Sequence, residues 1–95
     1  MNSISPLKLL DWAVELHLPQ AQKVTLLVLV KYADKEYTCY PGQTKLAENT
    51  GMSIRSVRNA LNELEKVGII HREKRYLKNG TRTSDRCFLN IDYRN

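Results

Sequence analysis

The sequence is poor in the features that several protein classes require. Cys39 and Cys87 are the only cysteines among 95 residues, too few for the disulfide framework of a small secreted domain. They lie far apart, and His17 and His71 fall outside any ligand spacing, so no zinc site is expected. No apolar run approaches the ~20 residues that span a bilayer. The longest, Val24 to Val30, is interrupted by Thr25. The N-terminus shows no basic region followed by an apolar stretch and a small-residue cleavage site. Without an export signal the cysteines read as reduced thiols, and a cytoplasmic location is expected. A chain of this length reads as one domain, with room for one modest core. It is too small to enclose a large cofactor pocket, so a binding module is expected, with no cofactor and no membrane partner. His71, Ser84 and Asp85 could be imagined as a hydrolytic set. Ser84 and Asp85 adjoin a turn, however, and no oxyanion arrangement accompanies them, so no enzyme activity is expected.

What the chain does have is positive charge in one place. The net charge is +5. Residues 1–42 hold four basic and four acidic residues and are neutral. Residues 43–86 hold ten basic and five acidic residues and so carry the whole excess. An even spread would mean solubility; this segregation favours a polyanion-facing surface.

Along the chain, Pro6 to Leu18 reads as a short helix, with Leu7, Leu10 and Val14 at helical spacing and Trp12 and Leu16 flanking them. An extended arm packed on the core is the alternative. Residues 1–20 are thus an N-terminal helix or arm, and residues 21–95 the main body. Gln20 to Asp34 reads as a buried central helix, because Val24, Leu27, Val28 and Tyr32 follow helical spacing and Leu26, Leu29 and Val30 extend the apolar surface nearly all round. Tyr37 to Tyr40 is a brief strand before the Pro41-Gly42 turn. Gln43 to Asn49 forms the next helix, with Leu46 and Ala47 inward, and Gly51 breaks it. Ser53 is an N-cap for Ile54 to Val67, whose Val57, Ala60, Leu61 and Leu64 share a face. Ile69 to Leu77 and Thr83 to Ile91 are β-like, and Asn79-Gly80 between them is a hairpin turn signal.

The informative stretch is residues 43–62. Ala47 is small where two helices cross, and Gly51 supplies the tight turn that sets the second helix steeply to the first. Leu46, Val57 and Leu61 lock that angle. Read as Leu46-Ala47, Gly51, Ser53 and Val57, the segment resembles the bacterial helix-turn-helix signature Leu-Ala-x-x-x-Gly-x-Ser-x-x-x-Val. The wider chain is similar to winged helix-turn-helix domains of phage and plasmid replication proteins and of small bacterial regulators. Trp12-Ala13, Leu18-Pro19, Tyr32-Ala33-Asp34, Cys39-Tyr40-Pro41, Gly68-Ile69-Ile70 and Asn79-Gly80 carry that similarity. One departure is Gly42, where the family often has Ser. The resemblance implies a mostly α fold with a small β-hairpin wing (an α+β domain): a three-helix core, an N-terminal segment, the helix-turn-helix at 43–67 and the wing at 69–91.

At about 100° per residue, the face of the second helix opposite Val57 and Leu61 carries Arg55, Asn59, Asn62 and Lys66, with Ser56 and Arg58 at its flanks. Arg can read guanine and Asn can read adenine in the major groove. Asn is a mediocre helix former, so a merely solvated face explains this set poorly. On the wing, Arg72, Lys74, Arg75, Lys78, Arg82 and Arg86 would follow a phosphate backbone, although charge on edge strands also prevents unwanted pairing. The expected DNA-binding residues are Lys45, Ser53, Arg55, Ser56, Arg58, Asn59, Asn62, Arg75, Lys78 and Arg82. The expected partner is double-stranded DNA. The role is that of a transcriptional regulator or of the DNA-binding part of a replication initiator, with replication or transcription machinery as further partners. A winged helix used for protein contacts is the rival. A homodimer built on residues 6–18, with Trp12 among them, competes with packing of that segment into its own core.

Overall fold

The computed structural model describes residues 6–95 and has four helices and a three-stranded antiparallel sheet. The helices are α1 (Pro6–Glu15), α2 (Gln20–Tyr32), α3 (Gln43–Thr50) and α4 (Ile54–Lys66). The strands are β1 (Thr38–Cys39), β2 (Ile70–Tyr76) and β3 (Arg82–Leu89), in the order β1-β3-β2. This is a winged helix-turn-helix: α2, α3 and α4 form the core, β2 and β3 form the wing, and β1 pairs with the far edge of β3.

The core is one cluster, with Leu26, Leu29, Leu46, Val57, Leu64 and Ile69 fully buried at its centre. Helix α2 is central, packed against α1, α3 and α4. It buries Thr25, Leu26, Leu29 and Val30, while Val24, Leu27 and Val28 are only partly covered. Thr25 is tolerated inside because its hydroxyl donates to the Ala21 carbonyl at 2.8 Å.

Residues 6–15 form a helix, and its inward stripe differs from the expected one. Leu9, Trp12, Ala13 and Leu16 are buried, whereas Leu7, Leu10 and Val14 are exposed. Both sets have helical spacing on a helix that is apolar on most sides, so docking decides between them. The bulkiest side chain goes inside: Trp12 is 7% exposed and its Nε1 donates to the Tyr93 carbonyl at 3.0 Å. Trp12 therefore cannot centre a dimer surface. The C-terminal residues close over this end, where the Asn95 side chain donates to the His17 carbonyl and accepts from the His17 amide.

Two turns set the geometry of the site. Gly51 ends α3 in the left-handed region at φ 74°, where a side chain would meet its own backbone. At the wing tip, Asn79-Gly80 does make a hairpin, but not a two-residue one. Only Gly80 has positive φ (86°), Gly80 N–H donates to the Leu77 carbonyl, and Leu77 N–H donates to the Thr81 carbonyl. This is the longer turn in which a single left-handed glycine makes a bulge. Further down the wing, Glu73 pairs with Arg86 and Arg75 with Thr83, so Lys74 faces both Ser84 and Asp85. The extra residue is on β3, and the alternation of β2 is left intact.

Candidate nucleic-acid interface

Helix α4 starts cleanly because Ser53 caps it: the Ser53 hydroxyl accepts from the Ser56 amide at 3.1 Å. The two hydroxyls also bond to each other at 3.1 Å, so Ser53 and Ser56 are engaged in the cap. Val57, Ala60, Leu61 and Leu64 are buried, and the opposite side of α4 faces solvent. On that outer ridge stand Arg55 and Asn59, one turn apart and both exposed. Neither side chain has a hydrogen bond or ion pair among the described residues. Lys66 continues the ridge.

The flank of α4 nearer the wing is held by the protein itself. Arg58 Nε donates to Gln43 Oε1 at 2.7 Å, which ties α4 to the start of α3. Asn62 Oδ1 accepts from Arg72 Nη2 at 2.8 Å, while Arg72 Nε and backbone N–H both donate to the Glu65 carboxylate at 2.9 and 3.0 Å. Arg72 thus fixes the base of the wing to α4 through two side chains. Between α4, the start of α3 and β3 lies an open groove of 580 Å³ lined by Gln43, Thr44, Arg58, Arg72, Arg82 and Ser84 among others. Arg82 is paired with Asp85 at 2.8 Å; that bond and the carboxylate charge push its pKa up.

The remaining expected residues lie in three places. Lys78 is exposed at the wing tip without a side-chain partner among the described residues, free to meet a phosphate. Lys45 is exposed on α3, with its ammonium 5.9 Å from the Tyr32 ring centre. Arg75 lies on the other face of the wing from Arg72, since the two are three residues apart on an unbroken strand. Its guanidinium rests 4.4 Å from the Tyr40 ring centre and donates to the Ser84 carbonyl. Arg86 shares that outer face and stacks on Phe88 at 4.6 Å; its Nε is buried without a hydrogen-bond partner among the described residues.

The structure thus gathers Arg55, Asn59, Asn62, Arg58 and Arg82 on one side and separates Arg75 from them. It also adds Gln43, which the sequence pattern did not mark, and gives Arg72 a positioning role in place of the expected backbone contact. Gln43 and Arg72 orient Arg58 and Asn62, but their partners lie across a turn and across a helix-strand junction. No local spacing announces such pairs.

The arrangement has the features of a DNA-binding winged helix: a capped helix with an exposed Arg-Asn ridge, a preceding helix set across a glycine turn, and a basic hairpin alongside. A family model described as helix-turn-helix domain matches residues 16–70. The chain belongs to that helix-turn-helix family, and DNA is the partner its class indicates. The matched span runs from the end of the α1 region into the first residue of β2, so the wing lies almost entirely outside it. No curated protein matches the chain closely enough to count as a relative. Among the described residues, no helix is long and apolar enough to cross a membrane, and no His, Cys, Asp and Glu group could hold a metal ion.

Proposed function

We propose that the chain binds double-stranded DNA sequence-specifically and without catalysis, as a small transcriptional regulator or as the DNA-binding part of a phage- or plasmid-type replication initiator. The observation that carries this reading is the pair Arg55 and Asn59, exposed side by side on the outermost ridge of α4 with no partner among the described residues. A guanidinium and a carboxamide one turn apart match the hydrogen-bonding edges of guanine and adenine in the major groove. Arg58 flanks this ridge, pre-set by Gln43, and Asn62 is divided between the ridge and the wing. Ser53, Ser56 and the first amides of α4 face a phosphate at the groove edge, while Lys45, Lys78 and Arg82 grip the backbone to either side.

Selection of bound duplexes from a random pool tests the reading. An enriched motif a few base pairs long per protein is expected. A palindrome would indicate a two-fold regulator, and direct repeats would indicate an origin. Recovery of no motif would overturn sequence-specific binding and favour use of the domain for protein contacts.

A further inference from the structure

We infer that the wing tip is an apolar wedge: Tyr76 and Leu77 enter the minor groove beside the recognition site and kink the duplex. The inference rests on the DNA-binding reading above and adds a deformation of the DNA to it. Tyr76 is 60% exposed and Leu77 52% exposed. Single exposed apolar residues are common and ordinarily mean nothing. These two are adjacent, at the end of a hairpin, and stand among the cations Lys74, Lys78 and Arg82.

The direction of Tyr76 is fixed by the sheet, and Leu77 follows it in the turn just beyond the end of β2. Successive residues of a strand alternate faces, and the bulge is on β3, so Tyr76 shares the face of Arg72, which reaches α4. Tyr76 is also paired directly with Arg82, and directly opposed residues of antiparallel strands point the same way. Arg82 and Arg72 both line the groove beside α4. The tyrosine is therefore carried on the side of the wing that looks toward the DNA, continuous with the basic surface. Leu77 is held by its turn, since its N–H and carbonyl are both bonded within the tip. A rigid, narrow tip limits the ordering cost of insertion.

The geometry suits the minor groove. Two paired strands are about 4.8 Å apart between their axes, and with the thickness of their atoms they exceed the roughly 6 Å of the minor groove, so the tip enters only as the groove opens. Apolar side chains inserted there unstack a base step and bend the duplex by roughly 20–90°. Lys74, Lys78 and Arg82 would meet the phosphates that the opening brings closer, and Arg82 can exchange Asp85 for a phosphate. Specificity then also depends on how easily the step beneath the wing deforms, even with no hydrogen bond to its bases.

The test is energy transfer between dyes at the two ends of a 30-base-pair duplex of the selected sequence (about three helical turns), with binding followed in parallel by anisotropy. The intact chain is expected to shorten the end-to-end distance on binding. The Tyr76→Ser Leu77→Ser double variant is expected to bind about tenfold more weakly and to leave the duplex straight. Lys78→Ala should weaken binding and keep the bend. Both tip residues are exposed, so circular dichroism should show the double variant folded. Binding without bending by the intact chain overturns the wedge alone, and so does a bend that survives in the double variant. A loss confined to single-stranded DNA would also overturn it, by showing a stacking platform instead. Failure to bind any duplex overturns the wedge together with the reading beneath it.

Discussion

Arg55 and Asn59 are exposed because α4 spends its other side on the core. Neighbouring side chains of the same kind are not equally available: Arg58 is bonded to Gln43, and Asn62 to Arg72. Free groups can trade water for a base edge, whereas the bonded ones are already oriented. On the proposed reading, Arg55→Ala or Asn59→Ala costs on the order of 1–3 kcal/mol of binding and relaxes the preference at one position. Lys78→Ala should instead weaken all duplexes alike and lower the slope of log K against log salt by about 1. Competition binding at several salt concentrations separates the two behaviours. The outer ridge was legible from sequence because helical phase follows from four apolar residues in one short segment. Which members of that ridge are tied down was not legible, because Gln43, Glu65 and Arg72 reach them from other elements.

Among the elements, the helix-turn-helix is specified locally and the rest by docking. Gly51, Ser53 and the stripe of Val57, Leu61 and Leu64 are all within a few residues of the structures they determine. Ser53→Ala removes the cap of α4 and should cost about 1 kcal/mol, a fall of roughly 4–8 °C in Tm for a domain of this size. Thermal unfolding by circular dichroism checks it. Helix α1 shows the opposite case. Its existence follows from periodicity, but its buried stripe is chosen by where Trp12 fits, and no property of residues 6–15 alone distinguishes the two stripes. The sheet adds a second non-local feature. Cys39 and Cys87 face each other in register across β1 and β3, and both are buried free thiols. The neighbouring Cys39 sulfur and burial push the Cys87 thiol far up, while the same neighbour pulls the Cys39 thiol down against the opposing effect of burial. Because both thiols are buried, native protein at pH 8 should resist alkylation by iodoacetamide at both positions, with labelling accelerating in urea as β1 lifts from β3. Labelling as fast as that of a free thiol would contradict the pairing.

For the whole molecule, the basic excess and the exposed apolar stripe of α1 lie on different elements. The basic excess is confined to residues 43–86, which make α3, α4 and the wing. The exposed apolar stripe of Leu7, Leu10 and Val14 is on α1. It borders an apolar groove that also includes Leu27, Lys31 and Asp34; on the proposed reading as a two-fold regulator, a second copy would dock here. A dimer built there would bring together two recognition helices and double the reading length. On that reading, sedimentation of the intact chain should show a concentration-dependent dimer that Leu10→Ser Val14→Ser abolishes, with the fold kept because neither residue is buried. A monomer at all concentrations would leave one domain reading one short site.

The central claim is that the α4 ridge reads sequence. The most direct measurement is an anisotropy titration of the intact chain and of the Arg55→Ala Asn59→Ala double variant against a selected duplex and a scrambled one of equal length, at one salt concentration. The double variant should bind the selected duplex no better than the scrambled one, while affinity for the scrambled duplex falls only by the loss of one positive charge. A folded double variant that keeps the full preference for the selected duplex would contradict it.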